Sequence, residues 1–237
     1  MAEHRQGIMH NRESPINWIN SVLKYKADYL WARQKVEERG LAPHNDPPKN
    51  WDALATLELI LQTTNRDAAI LDAGGETYSP LVRWLEYYGY YNLHVINIAF
   101  LHDFQQGSIL YTAGDCTRTN FTGEYFDIIC SLSVIEHGVP FEPFIAEAYR
   151  LLKPKGYLII STDYWQHRID TQGKSAFGCS VHIFTEYEIR TMITQASRYH
   201  FIPTGSLNFE CYDRAVEWHE VELAYTFILF ALQKQSL

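Results

Sequence analysis

The stretch Ala69-Ile-Leu-Asp-Ala-Gly-Gly75 constrains this chain more than any other. Three apolar residues, Ala69 to Leu71, run into an acid and two glycines. Ser79-Pro80 then supplies an N-cap residue followed by proline at the first helical position. That order predicts a buried strand, a tight turn and a helix start. Free N–H groups at a helix N-terminus and the bare backbone of glycine let a ligand approach the main chain. An acid at the strand end, Asp72, can hold hydroxyl or ammonium groups of such a ligand. A Gly-Gly turn can equally do no more than join a strand to a helix, so the residues that follow decide between the two.

They alternate. Strands are predicted at Ala69–Ala73, Leu93–Ile98, Ile109–Thr112, Phe126–Leu132 and Tyr157–Ser161. Between them lie a helix at Pro80–Tyr88, a short amphipathic piece at Phe100–Gln106, and a helix at Phe141–Leu152 that Lys153-Pro-Lys-Gly156 breaks. Thr185-x-x-Glu188 reads as a capping box opening another helix, and two further strands are expected near 202–209 and 223–232. Ahead of this block, residues 13–40 carry an apolar stripe at helical spacing (Ile16, Ile19, Val22, Leu23), and 41–50 is a Pro- and Asn-rich loop. A second helix is predicted from Trp51 to Thr63. The division is a helical extension and loop over 1–50 and one ligand-binding domain over 51–237.

Strands alternating with helices give an α/β, doubly wound, mostly parallel sheet covered on both faces, its last strands antiparallel at one edge. Such a sheet binds its ligand at the carboxyl ends of the strands, near the switch in strand order. The 237 residues, 46% hydrophobic, suffice for one core of this kind. With 20 Lys and Arg against 28 Asp and Glu, net charge −8 and no basic cluster, nucleic acid is not an expected partner. The longest apolar run, Leu223 to Leu232 broken by Thr226, is too short to cross a bilayer, and the polar first twelve residues lack a secretory core. Cys116, Cys130, Cys179 and Cys211 are widely spaced without a Cys-x-x-Cys pair, so no metal site is predicted. A cytoplasmic location is expected.

The strand ends then offer a defined set of groups: Asp72, Gly74 and Gly75, Asn97, Asp115, Ser131 and Ser133. The end of the second strand commonly carries a carboxylate that grips ribose hydroxyls. Asn97 stands there instead, able to donate and accept without charge. Asp115 can accept from the amine of a purine, and the N–H of Cys116 can donate to its ring. Together they describe a site for adenosine with a small extension. No Gly-x-x-x-x-Gly-Lys-Ser/Thr loop is present, which argues against a nucleoside triphosphate.

The order Ile70-Leu-Asp-Ala-Gly-Gly75, Gly114-Asp115, Phe126-Asp-Ile-Ile-Cys-Ser-Leu-Ser-Val-Ile-Glu-His137 and Leu151-Leu-Lys-Pro-Lys-Gly-Tyr-Leu-Ile-Ile160 resembles class I S-adenosylmethionine-dependent methyltransferases of the type 11 kind, over about residues 50–233. Glu76 and Tyr78 replace two glycines of the family's first motif. The resemblance implies a Rossmann-like, seven-stranded sheet and S-adenosylmethionine as cofactor. It places Asp72, Gly74 and Gly75 at the methionine part, Asn97 at the ribose, Asp115 and Cys116 at the adenine, and Ser131 at the sulfonium end, with Ala73 and Ser133 as further cofactor-binding candidates.

Methyl transfer needs an in-line acceptor held close to the methyl group, and a base only where the acceptor is a hydroxyl or an acidic carbon. His137 and Asp163 are the candidate catalytic groups. His137 can alternatively order its own turn. Tyr164, Trp165 and His167 follow the fifth strand and are candidates for the acceptor site, or form a packed aromatic lid, with 166–179 as a mobile rim. The expected acceptor is a small or carbohydrate-like molecule, methylated on oxygen or carbon. The competing reading is a non-catalytic relative that binds the cofactor or a protein partner. A dinucleotide-dependent oxidoreductase would need a fuller glycine turn, which the chain lacks.

Overall fold

The computed structural model describes residues 14–176 and 178–236. In chain order a 3-10 turn (Pro15–Trp18) leads to β1 (Ser21–Val22), α1 (Lys26–Glu38), α2 (Lys49–Thr63), β2 (Ile70–Ala73), α3 (Pro80–Tyr87) and β3 (Leu93–Asn97). Then come β4 (Phe104–Gln106), β5 (Ile109–Ala113), β6 (Phe126–Leu132), a 3-10 turn (Ile135–His137), α4 (Phe141–Leu151) and β7 (Leu152–Tyr164). A small hairpin of β8 (Ser175–Ala176) and β9 (Cys179–Ser180) precedes α5 (Glu186–Ser197), β10 (Phe201–Pro203), β11 (Val216–Trp218) and β12 (Leu223–Lys234).

The sheet runs β1-β12-β7-β6-β2-β3-β5-β4, with β10 and β11 also paired to β12. Strands β7, β6, β2, β3 and β5 are mutually parallel, and β12 is antiparallel to β7. This is the predicted parallel centre with an antiparallel last strand. The short marginal strands raise the sheet to ten where seven were expected. β2 and β6 lie side by side at the switch in order, with α2 and α3 on one face and α4 and α5 on the other. Ile70, Val95, Ile128 and Ile159 meet Trp51, Leu54 and Leu57 on the first face. Leu71, Ile129, Leu158 and Ile160 meet Phe144, Ile145, Ile189 and Met192 on the second. Strand alternation sends neighbouring residues to opposite layers.

Two sequence expectations are corrected. The single helix over 13–40 is instead a turn, a strand and a shorter helix, and its first residue lies outside the described ones. Asn20 adopts φ 63° and turns the chain, so that Ser21 and Val22 pair with Leu229 and Ile228 and close part of the β12 edge. Their apolar spacing serves two elements, which periodicity alone cannot distinguish. Likewise the Lys-Pro-Lys-Gly break lies inside β7. Lys155 takes φ 67°, and a Cβ on Gly156 would lie 2.9 Å from the Asp127 carbonyl, so a bulged strand passes there only with glycine. The capping box of α5 forms as predicted, Thr185 N donating to Glu188 Oε2 at 2.8 Å.

Candidate cofactor and acceptor site

The loop after β2 packs tightly on its own acid. Asp72 is 3% exposed, and among the described residues no hydrogen bond reaches its carboxyl. Burial, with Asp52 adding to it, pushes that carboxyl up to about 7. A Cβ on Gly75 would lie 2.3 Å from Asp72 Oδ2, and one on Gly74, itself at φ 89°, would lie 2.4 Å from Val134 Cγ1. Both glycines are therefore required by the packing.

Asn97, at the end of β3, is turned into this loop. Its amide Nδ2 lies within reach of the Gly74 and Gly75 carbonyls (3.1 and 3.0 Å) and of Glu76 Oε1 (3.2 Å). Its Oδ1 accepts from Ala99 N at 2.8 Å. Asn97 thus anchors the loop and is not the free ribose-binding amide that the sequence suggests. A carboxylate there would face three acceptors with nothing to donate.

Asp115 accepts from Thr117 N (2.8 Å) and Thr117 Oγ1 (2.7 Å), an Asx turn at the exposed end of β5. The adjacent Cys116 thiol is pushed up to about 11, first by burial and then by Asp115, so it stays protonated. Ser131 is fully buried, and the hydroxyls of Ser131 and Ser133 lack hydrogen-bond partners among the described residues. An unmet buried hydroxyl costs about 1–3 kcal/mol, which a ligand's polar group can offset. A buried acid and two hydroxyls without partners among the described residues, gathered at one end of the sheet, fit the predicted cofactor.

Deeper in the same face lies a network the sequence reading missed. Asp52 of α2, 1% exposed, accepts from Ser161 Oγ. Glu136, 1% exposed, accepts from Thr162 Oγ1 at 3.0 Å. Asp163, 2% exposed, lies close enough to Glu136 and Tyr225 for each to act on its carboxyl. Burial, and then Glu136, lifts the Asp163 carboxyl well above the usual range. Lys49, whose Nζ sits 4.3 Å from the Phe227 ring centre, pulls the Asp52, Glu136 and Asp163 carboxyls down and so partly opposes burial. The sequence signal was Lys49 and Asp52 three apart near the start of a helix with a long apolar face.

His137 ends the 3-10 turn after β6, next to Glu136 and edge-on to Trp218 at 6.5 Å. Burial, aided by Lys49, lowers its imidazole to about 4, leaving it neutral near pH 7 and able to accept a proton. Asp163 supports this region from beneath rather than facing solvent. Tyr164 is fully buried in the other layer and its hydroxyl donates to the Phe209 carbonyl at 3.1 Å, which removes it from the acceptor set. Alternation explains the correction: Asp163 and Tyr164 point to opposite faces. Trp165 is half-buried under Arg214, 4.8 Å from its ring centre, and His167 is exposed. Beside the glycine loop a cavity of about 510 Å³ opens between residues 40–46 and α3, walled by His44, Tyr78, Trp84 and Tyr87. Among the described residues no group of acids, cysteines and histidines could hold a metal ion.

Residues 74–160 match the family model described as a methyltransferase domain. A ubiquinone biosynthesis O-methyltransferase from Bartonella bacilliformis is 37% identical over 68 residues, 28% of this chain and 27% of that protein. The alignment thus spans about a quarter of the relative's length. A structure of the Burkholderia thailandensis 1,6-didemethyltoxoflavin-N1-methyltransferase, solved with 1,6-didemethyltoxoflavin and S-adenosylhomocysteine, superposes with TM-score 0.55 at 16% identity. It covers 89% of this chain and 87% of that one. An S-adenosylmethionine-dependent methyltransferase from Mesorhizobium loti superposes at 0.57 with 15% identity, over 78% and 98%. The strand order and these superpositions agree, and the chain has the fold of the class I S-adenosylmethionine-dependent methyltransferases, with residues 74–160 matching their methyltransferase domain.

Proposed function

We propose that the protein transfers a methyl group from S-adenosylmethionine to a small-molecule acceptor, with oxygen the favoured atom. The observation that carries this reading is the loop after β2, where Gly74 and Gly75 pack against Val134 and Asp72, and where the buried Asp72 and the hydroxyls of Ser131 and Ser133 lack hydrogen-bond partners among the described residues. The 37% identical segment of an O-methyltransferase supports oxygen over nitrogen. The bound cofactor supplies an electrophilic methyl group on a sulfonium. The chain's own residues do the rest. Asp72 and the glycine backbone hold the methionine end, Asp115 and the Cys116 N–H flank the base, and the serine hydroxyls line the strand-end floor. His137 accepts the acceptor's proton, while the buried Glu136, held by Thr162 Oγ1, fixes the turn that carries it. Trp165 and His167 flank the acceptor.

Calorimetric titration with S-adenosylmethionine and S-adenosylhomocysteine, beside NAD, tests the cofactor. Micromolar binding of the first two and none of NAD is expected. His137→Asn is expected to bind cofactor as the wild type does and to lose roughly 10²- to 10⁴-fold in turnover on a hydroxyl acceptor found by screening. Turnover unchanged in that variant removes His137 as the base.

A further inference from the structure

A carboxylate normally meets the ribose hydroxyls of a nucleotide at the end of the second strand of such a sheet, because two hydroxyl donors need a charged, bidentate acceptor. In this chain the position is Asn97, and its amide is committed to loop carbonyls. The same amide, however, also reaches across to Glu76 Oε1 at 3.2 Å. Glu76 stands where the first motif of related sequences has glycine, and its own backbone N donates to Ser79 Oγ at 2.8 Å, which fixes the residue at the mouth of the loop. Its side chain is half-buried beside Asn97, and it forms no salt bridge among the described residues. The charge missing from β3 is thus restored from the neighbouring loop, at the same strand ends and oriented by the residue that displaced it.

We propose that Glu76 is the ribose-binding carboxylate of this protein, with Asn97 as the residue that positions it. Asn97 holds one carboxylate oxygen, leaving the other lone pairs of Glu76 to accept from the two ribose hydroxyls. The pair is an exchange of roles: an acid on the strand and a glycine in the loop are replaced by an amide on the strand and an acid in the loop. The glycine-to-glutamate change then adds a ligand contact instead of degrading the site. This assignment rests on the cofactor reading above.

Calorimetry on the full chain tests it with two probes, S-adenosylhomocysteine and its analogue lacking both ribose hydroxyls. Glu76→Gln keeps an acceptor for Asn97 and removes the charge. It is expected to weaken S-adenosylhomocysteine roughly 10- to 100-fold, the range for hydrogen bonds to a charged group, and to leave the analogue within about threefold of the wild type. Asn97→Ala is expected to weaken the first probe as well, since the carboxylate then loses its orienting contact. A Glu76→Gln variant that binds both probes as the wild type does, or loses equally on both, overturns the assignment while the cofactor reading stands. Failure of the wild type to bind S-adenosylhomocysteine overturns both.

Discussion

At the scale of single residues, Asp72 couples chemistry to pH. Its carboxyl, pushed up to about 7 by burial, is partly protonated at neutral pH, and a sulfonium beside it favours the ionised form. Affinity for S-adenosylmethionine is therefore expected to rise roughly tenfold from pH 6 to 8, while S-adenosylhomocysteine, a zwitterion without the sulfonium charge, changes less. Calorimetry at several pH values measures both. The same slope in Asp72→Asn would show that another group is responsible. Gly74 and Gly75 illustrate how a residue legible as ligand-binding is also structural, because each fills a space where a Cβ would strike Val134 or Asp72.

At the scale of elements, the ends of helices and strands are held by contacts that span the sequence. Lys234, 4% exposed near the end of β12, donates to the carbonyls of Tyr149 (2.9 Å) and Leu152 (2.8 Å). It thereby caps the end of α4 and stacks 4.3 Å from the Tyr149 ring centre. Lys234→Met should keep the apolar stem and leave those carbonyls unmet, costing about 1–3 kcal/mol in urea unfolding. The capping box at Thr185 was predictable because both partners lie within four residues of sequence. The Lys234 cap was not, since 82 positions separate it from Leu152.

At the scale of the whole molecule, four acids (Asp52, Asp72, Glu136 and Asp163) are buried on one face of the sheet, all raised mainly by burial. Folded values above the unfolded ones mean that the native state holds more protons between the two, a window that for Asp72 runs from about pH 4 to about 7. Their contribution is fully present below about pH 4 and is lost as pH rises through the folded values. Glu147 and Glu188, lowered by Arg150, by His182 and by local hydrogen bonds, act oppositely and lose their contribution as pH falls below about 4. Thermal stability is accordingly expected to peak on the mildly acid side and decline toward pH 8. Asp72→Asn should remove part of that decline, on the order of 1–3 kcal/mol at pH 8. An identical melting profile for the variant would contradict the argument.

The strand–glycine–helix stretch, the alternation that follows it and the local caps were determined by the sequence itself, because each is a short-range rule of backbone conformation or periodicity. Asp72, Gly74, Gly75 and the serines could be placed at the strand ends from that pattern alone. Tertiary structure decided the rest. It split 13–40 between a sheet edge and a helix, sent Tyr164 into the opposite layer from Asp163, and turned Asn97 inward. It also carried Lys49, Asp52 and Tyr225 to the buried acids beside His137. Those outcomes depend on which surfaces meet across 20 to 200 residues of chain, and side-chain periodicity carries no record of a partner so far away.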